Sequence, residues 1–153
     1  MNRVVITGIG VITPVGQEED SFWQNIQNGV HGIDEIRSFD TSDFKIKLAA
    51  EVKDFDPTNY IEKKEVRRTD RYTQFAIAAA QQALRDCGSD LKDLDPFRVG
   101  VIVGSGIGGI QSTEMEHTKF MEKGPGRISP FYVPMMIPNM AAGQIAIRHG
   151  FKG

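Results

Sequence analysis

The chain has 153 residues, is 40% hydrophobic and 25% charged, and carries a formal net charge of −2. That length allows one domain with a real core, and the weak negative balance gives no reason to expect nucleic acid. A single cysteine excludes an internal disulfide and a cysteine-built metal site, which suits a reducing compartment. No apolar run approaches the ~20 residues of a membrane span. The stretch Val4 to Ile12 imitates a signal peptide, but Gly8, Gly10 and Pro14 interrupt it. The expected setting is cytoplasmic, without membrane association.

Arg3 to Thr7, Arg-Val-Val-Ile-Thr, predicts a buried strand, followed by the loop Gly8 to Gly16. A helix from about Glu18 to Asn28 comes next, with Phe22 and Ile26 on one face, acids in its first turn and Gly29 as a stop. Trp23 beside that stripe reads as packing. Ile33 to Asp43 has no period and reads as loop, whereas Lys45 to Asp54 alternates loosely and predicts a small peripheral strand. Asp56-Pro57-Thr58-Asn59 is a turn. Glu62 to Arg68 is a charge cluster with a surplus of two positives.

Thr69 or Asp70 caps the best helix of the chain, which runs to about Asp86 and stops at Gly88. Tyr72, Ala76, Ala79, Ala83 and Cys87 fall on one face of it, with Phe75, Ala80 and Leu84 beside them. Leu91 to Leu94 predicts a short helical turn. Val99, Val101, Ile102 and Val103 then form a β-branched run that ends in four glycines within six residues, Gly104, Gly106, Gly108 and Gly109. A strand running into such a loop, with a helix behind it, sets the loop at the carboxyl end of a sheet, where open α/β folds keep their sites.

Ile110 to Met121 is helical, with Ile110, Thr113, His117, Phe120 and Met121 on one side, and Gly124-Pro125-Gly126 breaks it. In the apolar stretch Ile128 to Pro138, the prolines 130, 134 and 138 rule out a regular helix or a central strand through it. Asn139 caps a last helix, Met140 to Arg148, ended by Gly150. The pattern is α/β, yet only two strands stand out. Two strands make a poor sheet, so the whole chain reads as one part of a larger domain, with no internal boundary.

Candidate chemistry is sparse. Gly104 to Gly109 satisfies Gly-x-Gly-x-x-Gly after a strand, but the second strand with its acid about 20 residues on is missing. An independent nucleotide-binding module is therefore a lesser alternative. Cys87, at the negative end of a helix dipole, is poorly placed for a nucleophile. His31, His117 and His149 lack metal-ligand spacing. No cofactor or metal is expected.

Three stretches carry a resemblance: Val4 to Gly16, Gly104 to Gly109, and Ile128 to Pro134 with Asn139 to Gly143. In order and spacing they are similar to the β-ketoacyl-acyl carrier protein synthases, in particular the type II enzymes of bacterial fatty acid synthesis, with Ile107 resembling their gate residue. The resemblance implies the amino-terminal part of a thiolase-like fold, layered α/β/α and incomplete in this span. It also implies an acyltransferase that condenses an acyl thioester with malonyl carried on acyl carrier protein. The family's catalytic cysteine and histidines fall outside the span, so the span alone is expected to be inactive. Gly106, Ile107 and Gly108 would border the acyl channel. Phe131, Tyr132, Val133, Met136 and Ile137 would lie at a homodimer interface and shape the acyl pocket. Lys64, Arg67, Arg68 and Arg127 would meet the acidic carrier. A non-catalytic homologue, a chain-length partner, is the alternative within the same fold.

Overall fold

A computed structural model describes residues 3–88, Leu91 and residues 94–153. The expected turn at Leu91 to Leu94 therefore lies partly outside the described residues. Helix α1 spans Glu19–Gln27, with Glu19 and Asp20 in its first turn and Gly29 at φ +67° just beyond it. The region expected to be loop holds a strand, β1 (Ile33–Glu35), paired antiparallel with β2 (Leu48–Ala50) in the register Ile33 to Ala50. Three residues are too few to show a period, so only the partner strand decides this element. The ribbon is held at its edge by Asp34, which pairs with Arg37 and Lys53. Glu51 accepts from the Arg37 amide at 2.8 Å.

Helix α2 (Lys63–Val66) lies inside the charge cluster, and α3 (Arg71–Asp86), α4 (Ile110–Lys123) and α6 (Met140–His149) sit close to their expected bounds. Asn139 precedes α6 without a side-chain cap, and Gly150 ends the helix at φ +72°. Between them α5 (Tyr132–Met136) forms in the proline-rich stretch. Pro134 is its third residue, where the amide has no intrahelical acceptor, so its missing N–H costs nothing there.

Neither expected long strand forms. A parallel strand exists through its ladder and its covering layers, and among the described residues these segments have no ladder and no cover on both faces. Val4 is 95% and Ile6 86% exposed. In the second run Val101 and Val103 pack against the core while Ile102 is 98% exposed. That segment is covered on one face, not two.

Contacts divide the chain into two compact units, Met1–Asp56 with Gln82–Gly88, and Pro57–Gln81 with Ser89–Gly153. In the first, the Gly8 backbone lies so close to Ala83 and Cys87 that a Cβ would come under 3.0 Å from both. The Ile9 amide donates to Asp86 Oδ2 and the Val11 amide to Gln82 Oε1, each at 2.8 Å. The glycine loop at Gly8 to Gly10 thus spends amides on a helix rather than on a phosphate.

In the second unit Ile61, Ile77 and Ile145 form the core, joined by Tyr60, Val66, Ala76, Ala80, Val101 and Val103. The buried face of α3 is rotated from the alanine stripe that its spacing suggests. Its most buried residues are Thr73, Gln74, Ile77, Ala78 and Gln82. The two glutamines are inside because irregular backbone needs partners: Gln74 Nε2 donates to the carbonyls of Val66 and Thr69, at 3.2 and 2.9 Å, whereas the buried Thr73 hydroxyl meets no hydrogen-bond partner among the described residues.

Asp70 joins two helices. Its Oδ1 accepts from the Tyr72 amide at 3.1 Å, capping α3. Its Oδ2 accepts from the Ser112 amide at 3.1 Å and from Ser112 Oγ at 2.6 Å, capping α4. Both residues are buried. Asp70→Ala is expected to destabilise by about 2–3 kcal/mol and Ser112→Ala by about 1 kcal/mol. Urea unfolding midpoints measure this, and equal small losses from both changes would refute the double cap.

Candidate functional site

The candidate site lies in the second unit, where the loop Gly104 to Gly109 meets the segment Phe131 to Pro138. Ser105 Oγ accepts from the Gly108 amide at 3.0 Å, which folds the loop onto itself. The Gly109 amide donates to the Met136 carbonyl at 2.9 Å. A Cβ on Gly108, itself at φ +79°, would come under 3.0 Å from the Met136 carbonyl oxygen, and one on Gly109 equally close to that of Met135. The two main chains therefore touch directly, and only glycine permits it. Gly104 and Gly106 differ, with nothing within 4 Å of a Cβ. Ile107 rises among them and is 69% exposed. The loop is anchored at one end and open around its one branched side chain.

The segment is pinned along its length. The Ser129 amide donates to Glu116 Oε2 at 2.7 Å, and Ser129 Oγ accepts from the Phe131 amide at 3.1 Å. At the far end Tyr72 donates its hydroxyl to the Ile137 carbonyl at 2.6 Å. Tyr132, Met136 and Ile137 are half-buried, whereas Val133 and Phe131 are exposed. The structure thus brings Gly108 and Gly109 of the loop against the backbone of Met135, Met136 and Pro138.

Helix α4 does not use the face its apolar spacing suggests. Ile110, Phe120 and Met121 are exposed and Ser112 and Glu116, four residues apart, are buried. These inward positions are polar because each serves a backbone amide, Ser112 through Asp70 and Glu116 directly. Glu116 also pairs with Lys119 at 2.5 Å. The Lys119 hydrogen bond first, then the Ser129 amide, hold its carboxyl below the usual 4.5. Tyr72, Glu116 and the second role of Asp70 were missed by the sequence reading. Glu116 falls off the apolar stripe that marks the expected inner face of α4, so its position gave no signal.

The expected cations sit apart by role. Lys64 pairs with Glu62 at 2.8 Å, both well exposed. Glu65 is neutralised from within by Arg148 at 2.8 Å, which leaves the cluster more positive. Arg67 is exposed. Arg68 places its guanidinium carbon 4.6 Å from the centre of the Phe131 ring. Arg127 ends the turn Pro125–Arg127 and is exposed. Cys87 lies in the other unit, half-buried under the Gly8 turn. No helix among the described residues is long and apolar enough to cross a membrane.

The family described as Beta-ketoacyl synthase, N-terminal domain, matches residues 1–153. The 3-oxoacyl-(acyl-carrier-protein) synthase 2 of Staphylococcus aureus (strain N315) is 49% identical over 151 residues, 99% of this chain and 36% of that protein. A solved type II PKS acyl-carrier protein in complex with its ketosynthase bound to the hexaketide matches with a TM-score of 0.80 and 27% identity, over 97% of this chain and 39% of that chain. The ishigamide ketosynthase/chain length factor matches with a TM-score of 0.84 and 28% identity, over 94% and 36%. The chain spans little more than a third of the length of these relatives.

Gly109→Ala is expected to displace the α5 segment and cost about 2 kcal/mol or more, against about 0.5 kcal/mol or less for Gly106→Ala. Denaturant unfolding of the two variants measures the contrast. Glu116 gives a pH signature. Its carboxyl is lower in the folded chain than unfolded, so its contribution is complete above pH 4.5 and lost as pH falls through the depressed value. Glu116→Gln should be less stable than wild type at neutral pH, with the gap closing in acid. A gap independent of pH would refute the ionised bond to Ser129.

Proposed function

The chain belongs to the β-ketoacyl synthase family and carries the amino-terminal part of its thiolase-like α/β fold, and from that premise we propose that it serves a 3-oxoacyl-acyl carrier protein synthase of fatty acid biosynthesis. The reaction joins an acyl thioester to malonyl on acyl carrier protein, with loss of carbon dioxide. In the family a cysteine carries the acyl group and two histidines assist. By the family pattern these lie beyond this span, whose part is binding and positioning.

One observation carries the reading. A single exposed branched side chain, Ile107, stands on a loop whose neighbouring glycines leave open space, and that loop is anchored backbone to backbone on the apolar segment at Met136. Such a side chain can swing while its base stays fixed, as an acyl-channel gate requires. Gly106 and Gly108 flank it. Phe131, Tyr132, Val133, Met136 and Ile137 suit a homodimer interface that closes the far end of the pocket, since apolar groups exposed on a stiffened segment favour burial by another subunit. Lys64, Arg67, Arg68 and Arg127 suit an acidic carrier protein steered by charge. The single cysteine suits a cytoplasmic setting.

A gate at Ile107 predicts a chain-length effect. In the full-length synthase, Ile107→Phe should lower kcat/KM for long acyl thioesters by about tenfold or more while sparing short ones, as expected when bulk is added to an apolar channel. Condensation assays across a chain-length series measure it. An equal loss at every length would sink the gate. Absence of any condensing activity in the wild-type protein would favour the second reading, a non-catalytic chain-length partner, which the likeness to a ketosynthase/chain length factor supports.

A further inference from the structure

Arg68 differs from the other cations of its cluster. Lys64 has Glu62, and Arg67 is exposed with no ion-pair partner among the described residues. Arg68 also has no carboxylate partner among them, and its planar cation covers the face of Phe131 at 4.6 Å. A guanidinium held over an aromatic ring can still direct N–H groups away from the ring to donate. It can hold an aromatic ring and a carboxylate at once.

Both ends of this contact are fixed to the frame. Behind Arg68, Thr69 Oγ1 donates to the carbonyls of Glu65 and Val66 at 3.2 and 3.3 Å, Gln74 holds the same turn, and Asp70 follows as the double cap. Behind Phe131, its amide is held by Ser129, which is held by Glu116. Phe131 adjoins Tyr132 and the segment that anchors the glycine loop. The stacked pair is a direct side-chain link between the basic cluster and the segment that meets the gate loop.

We propose that Arg68 is a positioning residue for acyl-chain length, which holds Phe131 through its guanidinium face and so ties carrier docking to the shape of the acyl pocket. This rests on the docking and pocket reading above. A carboxylate of an acidic carrier that engages the Arg68 N–H groups pulls on a cation already seated on the ring. Docking is thereby transmitted to the Phe131–Ile137 segment, whereas Arg67 acts by charge alone.

The test uses the full-length synthase with long and short acyl-carrier thioesters, reading the ratio of their kcat values together with KM for the carrier. Arg68→Leu and Phe131→Leu should each shift the ratio in the same direction by about two- to fivefold, the range of an exposed cation–aromatic contact. The double variant should shift it no further. Arg68→Lys keeps the charge but loses the plane, so it should shift the ratio while holding the carrier KM. Phe131→Tyr keeps the ring and should return the ratio towards wild type. Additive shifts, or a wild-type ratio in Arg68→Lys, would overturn the proposal. Arg67→Glu separates the readings: it should raise the carrier KM alike for both chain lengths. An unchanged KM there, beside a coupled Arg68–Phe131 ratio, would refute carrier docking and the tie to it while leaving the pocket reading intact.

Discussion

The site depends on one buried carboxylate serving the starts of two helices. Each helix begins with amides that have no partner within the helix, and Asp70 satisfies such amides in α3 and α4 with separate oxygens. The glycine loop runs directly into α4, so its carboxyl end is placed by this contact. A Cβ on Gly109 would also crowd Asp70 Oδ2, at 3.0 Å. The loop's last glycine, the cap and the helix start therefore form one arrangement, in which no member can be enlarged alone.

Around that point the interior of the second unit is held by polar side chains more than by apolar bulk. Its buried apolar cluster is small, and Gln74, Tyr72 and Glu116 each bind the main chain of an irregular segment. This follows from the fold's need to hold loops against helices. Loops bring unpaired backbone groups, and burying those without partners is costly. It also explains why α3 and α4 turn glutamine, serine and glutamate inward where an apolar stripe would be expected.

Rigidity and freedom are thereby separated at the site. Gly108 and Gly109 are occupied by close contact with Met135 and Met136, whereas Gly104 and Gly106 have open space. Four glycines that look equivalent in sequence have two opposite uses. The exposed basic residues divide in a similar way. Glu65 is neutralised by Arg148, so the cluster presents more positive charge than its composition shows, and one of its cations is committed to an aromatic ring.

The sequence by itself determined the helices, because caps, apolar spacing and stop glycines act within a few residues. Asp70 before α3, Gly124 after α4 and Gly150 after α6 were legible for that reason. It also determined the family, since three motifs recur in order along the whole chain, and it marked the glycine loop and the apolar segment as places of interest. Tertiary structure alone decided what those places touch. The pairing of β1 with β2, the meeting of Gly109 with Met136, the reach of Asp70 to Ser112 and the seat of Arg68 on Phe131 all join residues far apart in sequence. It also decided against the two long strands. A strand is a relation between neighbours, and among the described residues Val4 to Ile6 and Val99 to Val103 have β-forming side chains but form no ladder, the second run meeting the Gly153 amide at the Val99 carbonyl alone.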